Sequence, residues 1–176
     1  MPPLTRRSLL LALAPRPAKF RWAICSETFA GMPFPDACRA AARCGYAGIE
    51  VEPAHLGPDP VQLPPGARKE IRQVMAAAGL QFTGLHNALK APAGLHLTSA
   101  DAVRQFTTSL RHVHLNELDG RYPGAADYPF LPILQALRDI RYPGWVSVEV
   151  FDFKPDGETV ARRALEHLRK LEASLP

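Results

Sequence analysis

Blocks of alternating apolar and polar positions trade places with blocks of helical period along this chain, and their order predicts a strand–helix succession. Strand-like stretches cover residues 21–29, 49–52, 81–86, 111–116 and 145–151. Between and after them lie five helical stripes. The first, over 36–44, is Ala-rich, entered through Pro33-Phe34-Pro35-Asp36 and stopped by Gly45. The second, over 67–78, puts Ile71, Val74, Met75 and Ala78 on one side and ends at Gly79. Ser99 is placed to cap a third helix running to about Leu110, with Val103, Phe106 and Leu110 as its stripe. Ile133, Leu134 and Leu137 point inward from a fourth over 130–140. Val160, Ala164, Leu165, Leu168 and Leu171 form the stripe of the last, over 158–175. Such alternation predicts an α/β fold with a parallel sheet.

Two strands carry chemistry as well as pattern. Successive strand side chains point to opposite faces, so His112, His114 and Asn116 share one face and Val113 and Leu115 the other. In the last strand Trp145, Ser147, Glu149 and Phe151 oppose Val146, Val148 and Val150. Each strand thus pairs an apolar face suited to lying under helices with a polar face of ligand-type groups. Phe82, Gly84 and His86 share a face in the third strand, and Glu50 and Glu52 point inward if Ile49 and Val51 point out.

Composition narrows the class. At 176 residues and 47% hydrophobic, residues 19–176 suit one domain with a substantial core. No apolar run approaches the about 18 residues of a membrane span. The formal charge of +4 is dispersed and forms no basic block, which argues against a nucleic-acid surface. Cys25, Cys38 and Cys44 make no CxxC pair, so neither a disulfide framework nor a structural zinc site is expected, and they read as small buried hydrophobes. Residues 1–18 stand apart. Thr5-Arg6-Arg7-Ser8 followed by Leu9 to Leu13 is similar to a twin-arginine export signal, with an uncleaved tail as the alternative. The location is periplasmic in the first case and cytoplasmic in the second.

From Arg111 to Phe151 the chain resembles the end of the xylose isomerase-like TIM-barrel family, the sugar phosphate isomerases and epimerases. The resemblance rests on His112-Val113-His114-Leu115-Asn116, on Pro123-Gly124, on the helix Pro132 to Arg138, and on Gly144 to Phe151. Gly45-Tyr46-Ala47-Gly48-Ile49-Glu50 is similar to the family's second strand, and Gly84-Leu85-His86 to its third. The resemblance implies a divalent ion (Mn, Mg, Co or Zn) at the C-terminal mouth of the barrel. The ion is held by a Glu on strand five, an Asp on strand six, a His on strand seven and a Glu on strand eight. His114 and Glu149 match the last two, and Glu149 would also move a proton beside a sugar carbonyl. His86, His112, Asn116 and Glu52 would line the pocket for a sugar or sugar phosphate.

The chain departs from the pattern in length. A full barrel takes about 250 residues, and here strands four to six, with the other two ligands, have no counterpart. Strands 1–3 and 7–8 remain, an incomplete barrel of about five parallel strands. The related endonucleases carry an Asp-x-His after strand seven, whereas the loop from Leu118 to Phe130 holds Asp119 and Asp127 but no His. Two functions stay open: a metal-dependent isomerase or epimerase, and an inactive barrel remnant that binds or oligomerises. Five strands cannot close the usual barrel, so the sheet stays open, recruits a second copy, or rearranges. Strands 81–86 and 111–116 are expected to pair directly with one another.

Overall fold

In the computed structural model, which describes residues 19–57, 62–86, 99–108 and 110–176, strands and helices alternate. They are β1 (Arg21–Cys25), α1 (Phe34–Cys44), β2 (Gly48–Val51), α2 (Pro65–Ala77), β3 (Gln81–Leu85), α3 (Ala100–Gln105), β4 (His112–Leu115), α4 (Phe130–Asp139), β5 (Trp145–Val148) and α5 (Gly157–Ser174). The signal-like N-terminus lies outside the described residues.

Helix ends follow local chemistry. Pro35 and Asp36 sit in the first turn of α1, and Gly45 closes it at φ 96°, a left-handed conformation that glycine adopts without a Cβ penalty. Ser99 Oγ accepts from Ala102 N at 3.2 Å to cap α3, and Asp156 accepts from Thr159 N at 2.8 Å to cap α5. Helix α3 is shorter than its stripe suggested. It stops at Gln105 and buries Val103 but leaves Phe106 exposed. A run of Phe106-Thr107-Thr108 adds residues with little helical preference.

All four strand pairings are parallel, in the order β3-β2-β1-β5-β4. The expected pairing of β3 with β4 is therefore wrong, because they are the two outer strands. Burial explains the order. β1 and β5 bury nearly every residue, as strands covered on both faces must, while β3 and β4 are the partly exposed ones. The last strand thus lies against the first, and β4 falls outside it. Ile24, Ile49, Val51, Val146 and Val148 face the helices and are essentially solvent-free. Beneath them lie Ala37, Ala40 and Ala41 of α1, Leu134 and Leu137 of α4, and Leu165 and Leu168 of α5.

The sheet is strongly curled. Glu50 on β2 touches His114 on β4 across two intervening strands, and the His86 ring meets the His114 ring edge-on at 5.8 Å between centroids. The outer strands, unpaired along their backbones, thus meet at their C-terminal ends. The N-terminal half of the interior is filled by side chains. A Cβ on Gly48 would lie 2.6 Å from Thr83 Cγ2 and 2.7 Å from Trp145 Cζ3, so only glycine leaves room for the indole there. Arg21 stacks on that indole, 3.9 Å from its centroid.

Two strand boundaries differ from expectation in ways that matter below. β1 stops at Cys25 and turns into a 3-10 segment, Ser26–Phe29. A bulge in the β2–β3 register pairs Ile49 with Phe82 but Glu50 with Gly84. Phe82 therefore lies on the Ile49 face, opposite Gly84, and not beside His86 as strict alternation predicted.

Candidate active site at the C-terminal ends of the strands

A parallel sheet gathers the C-terminal ends of its strands at one edge, where α/β folds place their chemistry. Here each strand delivers a polar group to that edge. Cys25 is the last residue of β1, Glu50 stands near the end of β2, His86 follows β3, His112 and His114 lie on β4, and Glu149 follows β5. Glu27 joins them from the 3-10 segment.

Glu50 is the hub. It is 6% exposed, and one carboxylate oxygen, Oε2, lies 2.7 Å from His114 Nε2, 3.4 Å from His112 Nε2 and 3.6 Å from Cys25 Sγ. Its other oxygen is 3.4 Å from His86 Nδ1. Burial would raise this carboxyl, but the hydrogen bonds with His114 and His86 outweigh it and hold Glu50 well below the usual carboxylate range. His86 is raised, first by its hydrogen bond to Glu50 and against the opposing effect of burial. Its far nitrogen, Nε2, stands 3.1 Å from Glu27 Oε2 and 3.2 Å from Glu149 Oε1. Burial also pushes Glu27 up. His112 is lowered by burial and meets Ser147 Oγ at 2.6 Å.

Of the residues expected to line the site, the structure brings His86, His112, His114 and Glu149 together. Asn116 turns its amide to the backbone carbonyl of Glu117 at 2.8 Å. Glu52 lies beside Glu27 and His86, in a group of three whose donor atoms all fall within 4.8 Å of one another. Its backbone N–H donates to Ser26 Oγ. Glu50 was expected only as one of two inward carboxylates, either of which could line the site, and Glu27 and Cys25 not at all. A signal existed for the latter two, since Ala23, Cys25 and Glu27 continue one period-2 face of β1. Cys25 is buried as expected, but among carboxylates and imidazoles as well as apolar neighbours.

The arrangement suits a divalent cation. Cys25, Glu50, His86 and His114 each offer one donor atom, and these four atoms also lie within 4.8 Å of one another. Among the described residues, Glu27 Oε2, Glu52 Oε2 and His86 Nε2 of the neighbouring three-residue group are buried and make no hydrogen bond, a costly state that a positive centre among them would relieve. The donor chemistry, imidazole with carboxylate and thiol, is that of metal sites.

No protein-family model matches the chain. A curated D-psicose 3-epimerase from Enterocloster bolteae is 44% identical over 52 residues, covering 30% of this chain and 17% of that enzyme's length. Among solved structures, a D-psicose 3-epimerase determined in the presence of D-fructose aligns with a TM-score of 0.62 at 14% identity, covering 88% of this chain and 100% of that one. A xylose isomerase domain protein from Alicyclobacillus acidocaldarius gives 0.61 at 12% identity, over 88% and 99% of the two chains. An L-ribulose 3-epimerase gives 0.58 at 13% identity, over 89% and 95%. These similarities show the fold, that of the xylose isomerase-like TIM-barrel epimerases, with five parallel strands in one open sheet among the described residues.

Proposed function

We propose that this chain is a divalent-metal-dependent isomerase or epimerase of a small sugar or sugar phosphate, moving a proton on the carbon next to the sugar carbonyl. The observation that carries this reading is the gathering of Glu50, His86, His114 and Glu149 at the C-terminal edge of an epimerase-type sheet. His114 and Glu50 are the residues to hold the ion, with Cys25, His86 and Glu149 in reach. When bound, the ion would polarise substrate oxygens beside the carbonyl and stabilise charge that develops there.

The chain's own groups supply the rest. Glu149 is a partly accessible carboxylate at the mouth and takes the proton from the substrate carbon. His86 Nε2 lies 3.2 Å from Glu149 Oε1, near enough to steer its direction. Among the described residues the strand-five and strand-six carboxylates implied by the family pattern have no equivalents, but Glu27 provides a second carboxylate beside the same imidazole nitrogen. Glu52 and Asn116, both partly buried, are the candidates for sugar hydroxyls.

Incubation with D-fructose or D-psicose and a divalent metal in deuterated water tests the reading. Deuterium is expected at the carbon beside the carbonyl, with exchange falling at least about 100-fold in Glu149→Gln. Exchange equal in wild type and variant would refute it. The alternative, a remnant that binds a second copy, draws on the outer strand β3, where Phe82 is 53% and Leu85 42% exposed.

A further inference from the structure

Accepting the metal-site reading above, we infer that this chain holds its ion through a thiolate-containing set: Cys25 Sγ, one Glu50 oxygen, His86 Nδ1 and His114 Nε2. Such a set belongs to zinc-class ions. Glu149, which the family pattern makes a ligand, instead orients His86. The reduced barrel has thus moved its metal from the missing strands five and six onto β1, β2 and β3, keeping His114 as the shared corner.

Donor separations carry the argument. In a tetrahedral zinc site, metal–N and metal–O bonds of about 2.0–2.1 Å and a metal–S bond of about 2.3 Å put the donors roughly 3.3–3.7 Å apart. Cys25 Sγ is 3.5 Å from His86 Nδ1 and 3.6 Å from Glu50 Oε2, and His86 Nδ1 is 3.4 Å from Glu50 Oε1. The two sulfur separations are already edges of such a polyhedron, while His86 Nδ1 stands against the carboxylate's other oxygen, Oε1, so that edge needs a turn of the Glu50 carboxylate. His114 Nε2, at 2.7 Å from Glu50 Oε2, makes a hydrogen bond that would open by about half an ångström. Three of the four donors are enclosed, with Cys25 1%, Glu50 6% and His86 2% exposed, so the pocket is preorganised.

Glu149 stands on the wrong nitrogens to complete that set. It approaches His86 at Nε2 and His114 at Nδ1, the atoms turned away from Cys25 and Glu50. A carboxylate hydrogen-bonded to the far nitrogen of a ligating imidazole is the usual orienting partner in metal sites, and Glu149 and Glu27, 3.2 and 3.1 Å from His86 Nε2, are placed to take that role once the ring turns to ligate. With Glu27, Glu50 and Glu149 around three imidazoles, a dication also balances the local charge. A sulfur and two imidazoles favour zinc or cobalt over magnesium.

Cobalt is the probe. Co²⁺ added to the full chain is expected to bind at one equivalent, with a thiolate-to-metal charge-transfer band in the near ultraviolet and the intense visible bands of a tetrahedral ion. Zinc should bleach both. Cys25→Ser should abolish the charge-transfer band and weaken zinc binding by more than the about 10–100-fold typical of a lost orienting partner. Glu149→Gln should keep the band and stay within that 10–100-fold range. The double variant Cys38→Ala/Cys44→Ala should keep it too, which isolates Cys25 even if Cys25→Ser folds poorly. A band that survives in Cys25→Ser overturns the inference. So does cobalt binding without the band, abolished by Glu52→Gln, which would place the ion in the Glu27–Glu52–His86 group and leave the broader metal reading intact. Absence of any metal binding overturns both.

Discussion

Replacing Glu50 with alanine is expected to lower the unfolding free energy by about 3 kcal/mol at neutral pH and to remove metal binding altogether. The carboxylate is 6% exposed, and His114, His112, His86 and Cys25 all turn polar atoms to it. Deleting one partner of a buried charged network strands the others, which is where losses of this size arise. Urea unfolding in the presence of a chelator measures it, and an unchanged midpoint would show that the imidazoles do not depend on Glu50. The pH dependence has a definite sign. Glu50 is held below its ordinary value of 4.5, so its contribution is present above about pH 4.5 and is lost as pH falls through the depressed value. His86 is raised above 6.5, so its contribution is complete below about pH 6.5 and fades as pH rises through the raised value. Metal-free protein should therefore be most stable in the mildly acidic window between, and Glu50→Gln should flatten both limbs.

Glu117→Ala is the second large effect, expected to cost about 3 kcal/mol with metal binding retained by the folded fraction. Glu117 is 1% exposed and anchors the long connection between β4 and α4. Its Oε1 accepts from Gly124 N at 2.8 Å and its Oε2 from Tyr128 N at 3.2 Å, while its own backbone N–H donates to Arg121 O and its carbonyl accepts from Gly120 N. Truncation removes the side-chain acceptor of two backbone donors, at about 1–3 kcal/mol each. Gly124 must stay glycine in that loop. Its φ is 93°, and a Cβ would lie 2.6 Å from the His167 ring. Thermal unfolding reads the loss. A melting curve matching wild type would mean that the loop is held by other contacts.

Much of the fold could be read from periodicity, and part of it could not. All five strands and five helices were placed, because each strand keeps a continuous apolar face and each helix an apolar stripe over proline or glycine punctuation. Strand order was not, since hydrophobic alternation says which face is buried but not which neighbour buries it. Only the near-complete burial of β1 and β5, against the half-exposed β3 and β4, puts the first and last strands side by side. The bulge beside Ile49 was equally silent, so Phe82 was placed on the wrong face. In the site, His114, Glu149 and His86 stood out because they recur in a pattern that resembles a known barrel, His86 at the end of its third strand. Cys25 gave no such sign. A single cysteine in an apolar strand reads as a small hydrophobe, and only the curl of the sheet brings Glu50, His86 and His114 around it.

The central claim is that these convergent side chains form a divalent-metal site, and calorimetric titration of the full chain with Zn²⁺ tests it most directly. One ion per chain is expected, with a dissociation constant tighter than about 10 μM, equivalent to about −7 kcal/mol, and no detectable binding in His114→Ala. Binding of equal strength in wild type and His114→Ala, or none in either, would contradict the account.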